Sequence, residues 1–416
     1  MCNSKLKVIV NDEKKNIIFN PNYESVFATL NEGHTAYQKN YMVMAGFLVG
    51  LSRAKLDCLE YLPEEQAEQA KTLYKEIQTV IFDYSTKVGI QLQKLPPQII
   101  VSLDNIINNN LIPALELGMK YLKVPISKDD EQKLTTYLTA AAQLSSNSAY
   151  FCGILRDNLN AFYNDNYGTS TMSTISYDLS SLVALLKSQS NDNQVQVQKL
   201  TAEIEELRSE VKKLSKAECA SGISLGLTLF MGGSAVALLL ASGAGAPLAS
   251  IVGGVLAFTF AVGTAGIAGY GKTISKLQEQ ITSDAKEISK CDAAIIQLDT
   301  VAKTFDGFIR TIPDVIESVK QMQIAWNVLT GMLNKTVELI NNAEGEIQNS
   351  IEKVCKQLDS YIIPLAKRSK DYVEDLDVSK LQVSIGNFNF AMSEEELKSE
   401  AAKAPTYDLV KFLLSA

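Results

Sequence analysis

Residues 266–273 have the spacing of a phosphate-binding loop. Their sequence, GIAGYGKT, fits the pattern G-x-x-x-x-G-K-[ST], in which backbone amides surround a phosphate. Such a loop needs a parallel sheet around it and an acidic second strand, whereas the chain that follows shows long helical repeats. Because a Gly-rich segment ending at its first charged residue produces this match easily by chance, we interpret it as the end of an apolar helix. Nucleotide binding by a P-loop stays as a minor alternative.

Few other residues could carry catalysis. His34 is the only histidine, so Ser-His or Cys-His catalysis would have to centre on it, and its helix-like segment offers no convincing partner. The six cysteines have no CxxC spacing and no histidine beside them, which indicates buried reduced thiols. We therefore predict no catalytic residue, no metal site, no cofactor and no enzymatic activity. The net charge of −8 and the lack of a basic patch argue against nucleic acid as a partner.

The strongest signal for function is a stretch of 53 residues, 219–271, that contains no Asp, Glu, Lys, Arg or His. One charge at a bilayer centre costs about 2.5–3.5 kcal/mol on insertion scales, so a stretch of this length without any charge indicates a membrane. Its middle contains Gly243, Gly245 and Pro247, which predict a turn. The arms on either side, 222–241 and 248–270, have 20 and 23 residues, and about 20 apolar helical residues cross a bilayer. The stretch therefore predicts a helical hairpin.

The side chains of this hairpin divide into two sets. The large apolar residues that we expect to meet lipid are Leu225, Leu227, Leu229, Phe230, Leu238, Leu239, Leu240, Ile251, Val255, Leu256, Phe258, Phe260 and Val262. The small residues that we expect to face the neighbouring helix are Gly222, Gly226, Ala257, Ala261, Ala265 and Gly269. Small residues at four-residue spacing let helices approach closely in a membrane.

Long helical patterns flank the hairpin and dominate the chain. Apolar residues step by three and four from Val197 to Leu214, and a second seam runs from Ile274 to Val319. Residues 22–61, 64–95, 98–123, 128–164 and 346–376 read as further helices, the second of which ends at Pro96-Pro97. The fold class is therefore all-α: an elongated antiparallel bundle of long helices with an apolar helical-hairpin head and minor short strands near the termini.

Five segments follow from this pattern. They are a short hairpin-like piece at 1–21, a helical tail bundle at 22–218, the head hairpin at 219–271, the returning long helix at 272–376 and a C-terminal tail at 377–416 that packs on the bundle. Alternating apolar residues at Leu381, Val383 and Ile385 predict one short strand in that tail. The first residues lack the apolar core of a signal peptide, so we expect a cytoplasmic product that is secreted by another route.

This layout resembles the cytolysin A superfamily of α-helical pore-forming toxins, which includes the haemolysin BL and non-haemolytic enterotoxin components. It is most similar to the A subunit of the binary xenorhabdolysin-type toxins, with 222–241 and 248–270 as the matching head. The resemblance implies a soluble, haemolytic virulence protein that inserts its head into a target-cell membrane, oligomerises into a pore and acts with a second toxin subunit. Two other readings stay open: a constitutive two-span tether or scaffold with coiled coils, and a soluble coiled-coil adaptor.

Overall fold

The structure, a computed structural model, is described here over residues 22–54, 56, 58–189, 195, 197–203, 205–206, 228–232, 289–343, 347–375, 377–380, 382–386, 403 and 405–415. The α-helices of these residues are α1 Tyr23–Arg53, α2 Glu64–Asp83, α3 Ile90–Ile106, α4 Ile112–Lys120, α5 Lys128–Tyr163, α6 Met172–Gln189, α7 Lys290–Asn341, α8 Ile347–Gln357, α9 Ile363–Asp375 and α10 Leu409–Ser415. π-Helical turns at Tyr84–Gly89, Ile107–Leu111 and Leu358–Ile362 join α2 to α3, α3 to α4 and α8 to α9. The predicted N-terminal hairpin-like piece lies outside the described residues.

Helix α7 is the central element of the bundle, and it carries the second predicted seam from Cys291 to Val319. The earlier part of that seam, from Ile274 to Ile288, lies outside the described residues. Its 52 residues span about 78 Å at 1.5 Å per residue, which fits an elongated bundle. The seam residues that are buried along it are Ile295, Leu298, Ala302, Phe305, Ile309, Ile312 and Val319. This confirms the prediction of a long helix packed through its apolar stripe.

Helix α1 packs antiparallel to α7. Near the start of α1, the hydroxyls of Tyr23 and Thr336 are 3.2 Å apart, and farther along the Asn40 amide donates to the Ser318 hydroxyl at 3.3 Å. The contacting residues of α7 have lower numbers as those of α1 have higher ones, so the two helices run in opposite directions. Helix α1 ends at Arg53, earlier than the predicted residue 61, and a single 3₁₀ turn at Leu59–Tyr61 follows it.

Helix α5 also lies against α7 and begins where the sequence predicts. The Ser127 hydroxyl accepts the backbone N–H of Asp130 at 3.2 Å, which caps the first turn, and the helix ends at Tyr163. Its Ser145 hydroxyl donates to the Trp326 carbonyl at 2.9 Å, a buried bond that joins α5 to α7. A short antiparallel pair, β1 Asn166–Tyr167 and β2 Ser170–Thr171, then turns the chain into α6.

The prediction that a helix ends at Pro96-Pro97 is wrong, because α3 continues through both prolines. Pro96 has no N–H, so the carbonyl of Leu92, four residues earlier, loses its usual helical donor. The hydroxyl of Tyr37 on α1 donates to this carbonyl at 2.5 Å, and both residues are fully buried. A tertiary hydrogen bond thus replaces the helical one that Pro96 removes.

The seam before the hairpin is described only in part. Val197 and Leu200 are buried as predicted, but Glu203, which was expected on a solvated face, is also buried. The neighbouring Glu205 carboxylate lies 3.4 Å from the Lys303 ammonium on α7. This ion pair places the two seams side by side.

The C-terminal part contains the predicted last helix, as α8 and α9 joined by a π-turn, and the predicted strand, as β4 Gln382–Gly386. β4 is the middle strand of a three-stranded sheet, between β3 Thr228–Gly232 and β5 Thr406–Asp408. The last strand leads directly into α10. Strands β3 and β5 and helix α10 are additional to the elements predicted above.

Candidate functional site

Two of the predicted lipid-facing residues, Leu229 and Phe230, lie in the described part of the chain, and both are in strand β3. The prediction of a helix over 222–241 is therefore wrong for residues 228–232 in this state. Gly232 lies within the strand and further glycines lie close by, and glycine costs a helix about 1 kcal/mol in water. The other predicted residues of the hairpin, including its turn and its small-residue stripe, lie outside the described residues, as does the GIAGYGKT motif.

Strand β3 is held by backbone pairing to β4. The two run parallel, with Cα partners from Thr228↔Gln382 to Gly232↔Gly386. This pairing provides partners for backbone N–H and C=O groups of the apolar strand, which would be costly to bury unpaired. β4 in turn pairs antiparallel with β5, from Gln382↔Asp408 to Ser384↔Thr406. The sheet order is β3-β4-β5, so β4 connects the apolar strand to the C-terminal segment.

Helix α10 attaches this sheet to the body of the bundle. Its buried residues are Leu409, Val410, Phe412 and Leu413. The Asp408 carboxylate caps the helix, because its Oδ1 accepts the backbone N–H groups of Val410 and Lys411 at 3.0 and 3.2 Å. A Cβ placed on Gly89, in the first π-turn, would lie 3.2 Å from a methyl of Val410, so the helix sits directly on that turn.

A cluster of buried tyrosines lies beneath the C-terminal segment. The rings of Tyr37 and Tyr41 stack with centroids 5.8 Å apart, and Tyr84 meets Phe308 edge to face at 6.3 Å. Burial raises the pKa of each of the three phenols above its usual range.

Two acidic residues of the C-terminal segment, residues 377–415, also raise the pKa of two of these phenols. The negative charge of Asp377 adds to the raised pKa of Tyr37, and that of Asp408 adds to the raised pKa of Tyr41. The C-terminal segment therefore packs over neutral phenols in the core.

The histidine and most of the cysteines in the described part of the chain are buried. His34 is fully buried on α1, with its ring centroid 6.2 Å from that of Tyr37, so a substrate has no access to it. Cys58, Cys152 and Cys355 are buried thiols, and Cys291 is half-buried, which agrees with the predicted reduced state of these four. Among the residues that the structure describes, no three His, Cys, Asp or Glu side chains are grouped to hold a metal ion.

In the described part of the chain, no helix combines the length and the hydropathy that a membrane span requires.

Comparison with solved structures shows which fold this bundle has. Soluble SmhB of the tripartite alpha-pore forming toxin Smh from Serratia marcescens superposes with a TM-score of 0.61 at 11% identity, covering 91% of this chain and 99% of that one. Soluble SmhA of the same toxin gives 0.61 at 10% identity, covering 85% and 95%. The Bacillus cereus HblL1 toxin component gives 0.54 at 15% identity, covering 86% and 97%. The predicted likeness in fold to this group of toxins is confirmed.

Comparison at the level of sequence gives no further assignment. No protein-family model matches the chain, and no curated protein matches it.

Proposed function

We propose that this protein is a component of an α-helical pore-forming toxin. In water it keeps its apolar segment against the bundle, and at a target-cell membrane it inserts that segment and oligomerises. The observation that carries the proposal is the uncharged stretch 219–271, placed in a chain with the fold of toxin components. A permanent two-span tether would share the stretch, but the toxin proposal also accounts for the fold of the body.

The sheet that holds β3 indicates that insertion requires a change of structure. In hydrocarbon, each unsatisfied backbone group costs several kcal/mol, so segments cross a bilayer as helices or as closed barrels. The described sheet has three strands and leaves β3 at an edge. We infer that β3 separates from β4 before insertion and becomes part of a helix over 222–241. Two such packings can differ by only a few kcal/mol, as in other proteins that switch between structures.

The partners that we propose are a lipid membrane, further copies of this chain and a second toxin subunit. SmhA and SmhB are both components of one tripartite toxin, and this chain superposes on both with the same TM-score. Likeness in fold to two components of one toxin supports a multi-component system, and TM-scores of 0.59–0.61 for both components do not select one role within it. We further propose that the protein is secreted and performs no chemical reaction.

The test is insertion of detergent-free protein into dye-loaded vesicles of phosphatidylcholine, phosphatidylserine and cholesterol. Leu239→Glu and Phe258→Glu place a charge in each predicted arm, and we expect both variants to fold and to lose dye release. Tyr177→Glu is the matched control, because Tyr177 lies on α6 and is 72% exposed, so the same added charge stays in water. Vesicle flotation of each protein separates binding from release.

Each outcome has a distinct meaning. Binding without release by the wild type supports a multi-component toxin that awaits its partner, provided that the Glu variants bind less. Unchanged release or binding by both Glu variants would show that these arms do not enter lipid. A wild-type protein that needs detergent for extraction from the start would favour the tether, and one that never binds vesicles would favour the adaptor.

A further inference from the structure

We propose that residues 382–386 and 406–415, which form β4, β5 and α10, act as a C-terminal clasp that restrains strand β3. Undocking of α10 from the bundle is the step that frees β3. This inference rests on the proposed function for its role in insertion, whereas its structural part concerns the protein in water alone.

The order of the sheet makes the position of β3 depend on β4. Among the described strands, β3 pairs with β4 and with no other, because it occupies one edge of the order β3-β4-β5. Its interstrand hydrogen bonds therefore depend on where β4 lies. β4 is fixed on its other side by β5, through the register Gln382↔Asp408 to Ser384↔Thr406. The position of β3 therefore depends on β4 and on β5, which pairs with β4.

Helix α10 anchors the C-terminal strands to the bundle. β5 ends at Asp408 and α10 starts at the next residue, so the strand and the helix cannot move independently. α10 buries four apolar side chains, and Phe412 is 1% exposed. The contact between Val410 and Gly89 places the helix on the π-turn between α2 and α3. Docking of α10 therefore sets the position of the whole sheet.

The anchor that α10 forms is small. α10 has only seven residues, whereas α1 has 31 and α7 has 52. An isolated helix of fewer than about 12 residues is marginal in water, so α10 persists because it is docked. Local opening in proteins starts at elements with few buried contacts. The clasp can therefore open while the long-helix body stays folded.

The structural part is tested by amide hydrogen exchange of residues 228–232 in the full-length protein in water. Phe412→Ala removes a buried ring that anchors the clasp, and we expect at least tenfold faster exchange in β3 with unchanged exchange in α7. Leu414→Ala is the matched control, because Leu414 lies on the same helix and is 48% exposed, and we expect less than twofold change. Equal exchange in β3 for wild type and Phe412→Ala, with α10 itself exchanging faster, would overturn the clasp.

The functional part is tested by locking the clasp covalently. Thr228 and Gln382 are register partners, and neighbouring strands lie about 4.8 Å apart, within the Cα separation that a disulfide accepts. Thr228→Cys with Gln382→Cys is oxidised, the bond is verified by peptide mapping, and release from the vesicles described above is measured before and after reduction. Wild type in the same oxidant controls for the native thiols. We expect at least tenfold slower release from the locked form and recovery on reduction. If wild type binds without release, vesicle flotation replaces dye release as the readout, and we expect at least tenfold less binding by the locked form.

The two proposals fail in different ways. If the locked and reduced forms insert equally, the clasp does not gate insertion, while the pore-forming function stands. If wild type and reduced variant neither bind nor release, the proposed function fails, and hydrogen exchange still decides whether the C-terminal segment restrains β3.

Discussion

Removing the Tyr37 hydroxyl tests how the bundle accommodates Pro96 inside α3. Tyr37→Phe keeps the ring in place but leaves the Leu92 carbonyl without the donor that replaces the missing N–H of Pro96. Both partners are fully buried, so water cannot substitute for the hydroxyl. A buried group left unsatisfied costs about 1–3 kcal/mol, and we expect the free energy of unfolding to fall by about 2 kcal/mol.

The cause is isolated by repeating the substitution in a chain that carries Pro96→Ala. Alanine restores an N–H at position 96, which can donate to the Leu92 carbonyl within the helix. In that background Tyr37→Phe should cost less than about 0.5 kcal/mol, so the two changes should be coupled by more than 1 kcal/mol. Urea unfolding followed by far-ultraviolet circular dichroism measures all four proteins.

Tyr167→Phe provides the control for the general loss of a buried phenol. The Tyr167 hydroxyl also donates to a backbone carbonyl, that of Phe162 at 2.8 Å, but no proline is involved. Its cost should be the same with and without Pro96→Ala. If Tyr37→Phe also costs the same in both backgrounds, the hydroxyl does not replace the helical donor, and another contact must hold α3 together.

Three further expectations concern the nucleotide motif, alkaline stability and packing. Lys272→Ala should leave vesicle binding and release within twofold of wild type, and a nucleotide-dependent activity that is lost with Lys272 would support the P-loop alternative. Burial raises the pKa of the Cys152 thiol from its usual 9.0 to about 12. Because the thiol keeps its proton in the folded state but loses it above pH 9 in the unfolded state, its contribution to the free energy of unfolding is complete below pH 9 and declines as the pH rises toward 12. Between pH 8 and 10.5, wild type should therefore lose about 2 kcal/mol more unfolding free energy than Cys152→Ala, and equal losses would contradict this. Gly118→Ala should destabilise by about 1–3 kcal/mol, because the new methyl overlaps the Cys355 sulfur, and Cys355→Ala in the same chain should relieve much of this loss in a thermal unfolding series.

Local patterns allowed much of the bundle to be predicted from the sequence. The seam from Ile295 to Val319 repeats at helical spacing and is buried, and Ser127 with Asp130 marks the start of α5. The alternation around Val383 predicts β4. In each case the information lies within a few consecutive residues, where side-chain spacing alone decides which face is buried.

Features that depend on distant residues could not be predicted. The passage of α3 through Pro96 depends on Tyr37, which lies 55 residues from Leu92 along the chain. The strand form of 228–232 depends on β4, since an apolar segment of this composition suits a helix in lipid and a strand beside a partner. α10 did carry a local signal, an Asp cap at 408 followed by apolar residues at helical spacing, which was not recognised. The predicted insertion residues outside β3 stay predictions.

The parallel pairing of β3 with β4 has a consequence for the newly made chain. About 150 residues separate the two strands, and a ribosome adds roughly 5–20 residues per second. Strand β3 therefore emerges about 8–30 s before β4 is available to pair with it, and α10 is made later still. During that interval strand β3 lacks the partner that it has in the finished fold, so we expect nascent chains to need chaperones that bind apolar segments. Messenger RNAs that end before the codon for residue 382 should yield chains that aggregate or bind membranes of the producing cell.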